Sequence, residues 1–255
     1  MSRIARLLLY ASLSLGLSWT GRAGNQRVQR PALEVGQRFI YSVSFSHLRV
    51  GSAELTLSGR DTLGGHSVWN AALHISAGFG LFGVDDHMWS WFDPTTFASR
   101  RFVQKLREGR YRADRDFRIN PERRVYSNKG EPDVPSMSLP LDEVSFLYFV
   151  RTLKLEPGAV LTFDRYFRPE GNPVTIRVIG RERIEVPAGE FDAILIEPEF
   201  RTGGIFSKNG EARVWLSDDS ARTLLQLKSR LSFGSINLYL NRVVNAPKTK
   251  TTTPP

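Results

Sequence analysis

No cysteine occurs anywhere in the 255 residues. Its absence excludes a disulfide framework, thiolate metal sites, a cysteine nucleophile and the acylated cysteine of a lipoprotein anchor. Histidine is scarce, at four residues. No Gly-x-Ser-x-Gly elbow, Walker loop, His-Glu-x-x-His or zinc-deaminase pattern occurs, so the familiar enzyme signatures fail. Long apolar runs are missing too: Leu7 to Leu17 has eleven residues, short of the roughly 20 that cross a bilayer. Helical periodicity is confined to one place, and without crossover helices a parallel sheet is excluded.

What is present begins with Arg3 and Arg6, the apolar stretch Leu7 to Leu17, and the small pair Gly21 and Ala23. This is the layout of a secretory signal peptide over residues 1–23, cleaved near Ala23, although an uncleaved membrane anchor begins the same way. An exported, periplasmic protein is expected. Residues 24–32 and 245–255 are polar and have nothing to bury, so they read as a disordered linker and tail around a single β-rich domain at 33–244. The roughly 232 residues left after cleavage bury enough apolar surface to fold without staples. Net charge is +9; removing Arg3, Arg6 and Arg22 takes 35 basic residues to 32 against 26 acidic, or +6. That moderate excess suits lipid head groups, lipopolysaccharide or acidic polysaccharide in the envelope, and no nucleic acid.

Phe39, Tyr41, Val43 and Phe45 alternate with Ile40, Ser42, Ser44 and Ser46, and the chain is expected to turn near Arg49-Val50-Gly51 into Ala53, Leu55 and Leu57. Similar period-two runs recur through 66–127 and again through 161–244. About a dozen short strands at hairpin spacing predict a mainly β fold, an antiparallel meander curled into a barrel or half-barrel. One buried helix interrupts it at about 142–153: Asp142 is placed to cap it, apolar residues cover its faces from Val144 to Leu153, and Glu156-Pro157-Gly158 stops it. In Val186-Pro187-Ala188-Gly189 and Ser217-Asp218-Asp219-Ser220 the residues are those of tight turns.

Read together, Asp142 to Arg151, the hairpin Val186 to Ala193, Val214-Trp215-Leu216-Ser217-Asp218-Asp219 and Leu227 to Ile236 resemble the exported bacterial proteins of domain-of-unknown-function family 3108. Val35 to Val43 with Val50-Gly51-Ser52-Ala53 fits the start of that family, so the resemblance covers roughly residues 33 to 244. Thr223-Leu224-Leu225-Gln226 departs from it, standing where a segment more like Arg-Ile-Pro-Val is expected. The resemblance implies an exported β protein whose fold looks related to the periplasmic lipoprotein carriers of the Lol pathway, a half-barrel closed by helical elements. It transfers no function.

Candidate sites each carry two readings. Phe79, Leu81 and Phe82, set among glycines, either form an apolar lip that touches lipid or a partner, or fold back to cap the barrel end. Arg101, Lys105 and Arg107 share a strand face that a neighbouring strand extends with Arg110 and Arg112; the ribbon either contacts an anionic membrane or is a solvated face that resists edge pairing. Asp85-Asp86-His87 is the compact cluster suited to metal or acid–base chemistry, but zinc needs a further ligand, and Trp89 and Trp91 continue its face as an aromatic wall. No metal or cofactor is therefore expected. Arg151 at the helix end either pairs with a carboxylate in the wall or meets the anionic head of an amphiphile, with Trp89, Trp91, Phe146 and Phe149 lining the apolar part.

The leading expectation is a non-enzymatic envelope protein that binds an apolar or amphipathic ligand, a lipid or lipoprotein acyl chain, in its curved sheet. The alternative is a scaffold for another envelope protein, its core filled by its own side chains. An envelope-polymer hydrolase centred on Asp85, Asp86 and His87 stays open as a third reading, because paired carboxylates need not be close in sequence.

Overall fold

The computed structural model describes residues 33–80, 82–201, 206, 211–231 and 234–245. The expected signal peptide, linker and tail beyond Asn245 lie outside them, as do Leu81 and the side chains of Phe79 and Phe82. Among the described residues no helix is long and apolar enough to cross a membrane.

Fourteen strands form one antiparallel sheet built from two meanders. The first runs β1 (Arg38–Phe45), β2 (Leu48–Leu63), β3 (His66–Phe79), β4 (Phe82–Phe92), β5 (Ser99–Glu108), β6 (Tyr111–Asn120), β7 (Val125–Asn128) and β8 (Val134–Pro135), each paired with the next. The second runs β9 (Val160–Phe163), β10 (Val174–Val186), β11 (Gly189–Glu199), β12 (Arg213–Ser217), β13 (Leu224–Leu231) and β14 (Gly234–Val244). β14 pairs with β1, so the meanders join at the middle and the sheet ends, unclosed, at β8 and β9. Both edge strands are short, which limits the row of unpaired backbone groups they offer.

Alternation explains the strands. Phe39, Tyr41 and Val43 are buried, as are Leu55 and Leu57 of β2, Ala71, Leu73 and Ile75 of β3, and Phe102 and Phe117 of β5 and β6. The expected turn at Arg49-Val50-Gly51 is displaced: the chain reverses at Ser46-His47, Ser46 having φ 53°, and Gly51 lies inside β2 opposite Val43 and Ala77. A Cβ on Gly51 would fall 2.0 Å from the Ser76 carbonyl oxygen. This glycine marks close strand approach, not a turn. The other two turns are as expected, with Val186 facing Gly189 (φ 128°) across Pro187-Ala188, and the Asp219 carboxylate accepting from the Ala221 and Arg222 amides.

Between the sheet edges runs the one α-helix of the described residues, α1 (Glu143–Phe149), extended by a single 3-10 turn at Val150–Thr152. Asp142 caps it: Oδ1 accepts from the Val144 and Ser145 amides at 2.8 Å each, and the Ser145 hydroxyl accepts from the Asp142 amide at 2.9 Å. This is a capping box closed by serine. Seven residues are too few to be helical in water unaided, so burial holds the helix, and every residue from Val144 to Phe149 is buried. Helix and following loop pack against the buried face of the sheet. Phe146 meets Phe200 and Phe206 edge-on at 4.9 and 5.2 Å, and Phe149 meets Phe163 at 5.5 Å.

Candidate functional site

On the outer face of β3 to β7 the registers lay side chains out in rows. Asn70 of β3 faces Trp91 of β4, which faces Arg101 of β5; Ala72 faces Trp89, which faces Val103 and then Asp116 of β6; His74 faces His87, then Lys105, then Asp114. Small Ala72 and Val103 on either side of Trp89 leave a hollow. The result is a groove of about 710 Å³ lined by Trp89, Trp91, Arg101, Lys105, Asp116 and Lys129 among others, within the range of about 300–1,000 Å³ usual for small-molecule sites.

Its cations lean on its rings. The Arg101 guanidinium lies 4.9 Å from the Trp91 ring centre and the Lys105 ammonium 5.9 Å from that of Trp89, distances at which a ring face attracts a cation. Arg101 also donates twice to Asp116, both at 2.9 Å, and holds that carboxyl below its usual range. Arg107 donates through Nη2 to both carboxylate oxygens of Asp114, at 2.8 and 2.9 Å. The basic ribbon is therefore partly neutralised by carboxylates two positions from one another on β6. Arg110 leaves it altogether, sitting in the turn between β5 and β6, and Arg112 donates to the carbonyls of Gly109 and Tyr111. The correction for Arg110 follows from a tight β5–β6 hairpin that begins β6 at Tyr111.

Strand alternation divides Asp85-Asp86-His87. Asp86 points inward, buried, accepts from the Arg107 amide at 2.8 Å and is hydrogen-bonded to Glu108; burial raises both carboxyls, Glu108 to about 7. Asp85 and His87 point outward, where the register brings His74 beside them. The Asp85 Oδ1 atom lies 2.9 Å from His74 Nε2 and 3.3 Å from His87 Nε2, and the two imidazoles stack at 3.8 Å with planes 14° apart. Hydrogen bonding to His74, aided by the charge of His87, lowers the Asp85 carboxyl. With Asp86 on the other side of the sheet, the three residues expected of a hydrolase do not share a site.

Phe146, Phe149 and Arg151 lie on the inner side, so the expected lining is split, with Trp89 and Trp91 behind the sheet from the helix. Arg151 is 3% exposed. It donates through Nε and Nη2 to the Ala221 carbonyl at 3.3 and 2.9 Å and rests over the rings of Phe39 and Tyr148. The expected carboxylate partner is replaced by that carbonyl, which the Asp219-capped turn holds in place; Asp219 acts on Arg151 only through space. The Tyr148 hydroxyl is buried without a hydrogen-bond partner among the described residues. Nearby, Asp142 accepts from the Ser90 hydroxyl at 2.5 Å, and burial pushes its carboxyl up to about 7.

Sequence reasoning missed Asp114 and Asp116, and left His74 unplaced relative to Asp85 and His87. Period-two spacing places each on the outer face, but their partners depend on register, which sequence spacing leaves unset.

The family described as protein of unknown function, DUF3108, matches residues 40–241. The chain is similar to a beta-barrel-like protein of the domain of unknown function DUF1849 from Brucella abortus, at 11% identity and a TM-score of 0.53, over 84% of this chain and 99% of that one. It is also similar to a Bacteroides fragilis protein with a YmcC-like fold, described as exported (10% identity, TM-score 0.38, 86% and 100% covered). A Parabacteroides distasonis protein described as a lipoprotein is similar at 12% identity and a TM-score of 0.32, with 87% and 100% covered. No curated protein matches the sequence. The first of these similarities bears on fold: an unclosed, barrel-like antiparallel sheet.

Proposed function

We propose, for a chain that belongs to the DUF3108 family, that it is a non-enzymatic, exported protein of the cell envelope that binds an anionic amphiphile in the groove on the outer face of β3 to β7. The observation that carries this reading is the pairing of two half-buried indoles, Trp89 and Trp91, with Arg101, Lys105 and Lys129 around about 710 Å³. Apolar area laid on the rings supplies roughly 25 cal/mol per Å². The cations give the ligand its orientation, and Arg101 need only exchange one acidic partner for another. The mechanism is capture and release, with no bond made or broken. Export rests on the N-terminal arrangement of Arg3, Arg6 and the apolar stretch after them.

The interior supports a second reading. Arg151 is buried without an ion pair among the described residues, beside the partnerless Tyr148 hydroxyl, and a buried cation is costly unless compensated. An amphiphile head could sit there if α1 moved. One experiment separates the two: native mass spectrometry and tryptophan fluorescence of the mature protein titrated with lysophosphatidylglycerol, with lysophosphatidylcholine as the zwitterionic control. The groove reading expects saturable 1:1 binding of the anionic lipid, weakened about tenfold or more in Trp89→Ala or Trp91→Ala and unchanged in Arg151→Met. The reverse pattern selects the interior, and no uptake by the wild type removes both and leaves the scaffold reading.

A further inference from the structure

We propose that His74, Asp85 and His87 form a site for one divalent transition metal ion, zinc by preference, independent of what the groove binds. Three elements of geometry point there. His74 and His87 are directly opposite in the β3–β4 register, and Asp85 precedes His87 by two residues, so all three project from one face of two long paired strands. Their donor atoms, the two Nε2 and a carboxylate oxygen, lie within 4.8 Å of one another. Ligands around a tetrahedral zinc at about 2.0–2.2 Å stand roughly 3.3 Å apart, close to the 2.9 and 3.3 Å that already separate the imidazoles from Asp85. To seat the ion the two stacked rings must turn until both Nε2 lone pairs converge on it, with the donor atoms already close.

Two imidazoles stacked at 3.8 Å converge on one carboxylate oxygen. Two nitrogens and one oxygen suit zinc, nickel or copper better than magnesium or calcium, which take oxygen ligands. The site is open, the Asp85 side chain being 59% exposed, so a fourth position is left to water or to a donor from a partner. His87 in turn stacks on Trp89 at 5.5 Å, which provides an optical reporter.

The test is calorimetric titration of zinc chloride into tag-free mature protein freed of metal with a chelator. One ion per chain is expected. His74→Ala and His87→Ala should each weaken binding by more than the roughly 10–100-fold that loss of an outer-shell partner costs, and Asp85→Asn should weaken it as well, with unchanged circular dichroism in every variant. His47→Ala and His66→Ala should bind as the wild type does. Nickel should quench part of the tryptophan emission, and the quench should vanish with His87. Absence of saturable binding, or binding that survives the His74→Ala/His87→Ala double variant, overturns the proposal.

Discussion

On the inner side of β4 and β5, Ser90 and Ser99 meet Asp142 at full burial and their hydrogen bonds close on one another. On the outer side of the same two strands, Trp89, Trp91, Arg101 and Lys105 lie half-buried or exposed, with cations held over rings. The inner polar groups are fixed because an unmade hydrogen bond there costs about 1–3 kcal/mol. The outer ones can change partners at little cost, since water competes for every bond they make. The second meander is a control for this contrast. Its outer face is also charged, but Arg177 is ion-paired with Glu199 at 3.1 Å, Arg183 with Glu190 at 2.9 Å and Arg213 with Glu197 at 3.0 Å. Matched pairs of that kind solvate a sheet and leave those three arginines little charge to offer a ligand. What sets the first meander apart is two half-buried indoles beside cations in one groove; among the described residues the second has a single such contact, Lys228 at 5.2 Å from a Trp215 ring that is itself buried and donates to Glu182.

The hardest way to break the contrast is from inside. Phe146→Ala removes a ring with no exposed surface and should cost about 3–5 kcal/mol, measured by urea denaturation. A loss under 1 kcal/mol would show that the space around Phe146 is not packed. Next in size is a pH effect. Burial lifts Asp142 and Glu108 to about 7, whereas the unfolded chain releases those protons near 4. The folded form therefore holds more protons between those limits, and stability is full below about 4 and falls as pH rises through about 7. Denaturation midpoints should be higher at pH 5 than at pH 8, and Asp142→Asn, which keeps the Oδ1 acceptor of the cap, should flatten part of that slope. A midpoint that rises with pH across this window would contradict the burial of these groups.

From outside the effects are smaller on folding and specific to binding. Trp91→Ala should leave stability within about 1 kcal/mol, losing a half-buried ring and its contact with Arg101, while reducing amphiphile affinity as set out above. Smallest of all, Arg213→Ala in the second meander should change stability by no more than about 0.5 kcal/mol and ligand affinity not at all; a fall in affinity there would extend the binding surface across the sheet.

The strands, the buried helix and its Asp142 cap were legible because each depends on neighbours in sequence: alternation for strands, a side chain three residues from its amide for the cap. Gly51 was misread because a glycine serves equally as a turn residue and as a gap through which β3 approaches β2, and only the position of Ser76 decides. The site was half legible. Trp89, Trp91, Arg101 and Lys105 follow from spacing within strands, but the acids that meet Arg101 and Arg107, and the histidine that meets Asp85, come from another strand whose register no local pattern states. Arg151 posed the opposite difficulty, since a backbone carbonyl, which every residue carries, took the place of a recognisable acidic partner.

The seam between β1 and β14 sets a timetable. These two strands, 189 residues apart from Phe45 to Gly234, are neighbours at the centre of the sheet, so β1 has only one companion until the last strand has been delivered. A chain threaded through a membrane from its N-terminus cannot complete this sheet midway; its central seam closes only once residues 234–244 have come through. Such long-range closure is slow, and under the export proposed above that slowness keeps the chain in an unfinished, transportable state until the journey is over.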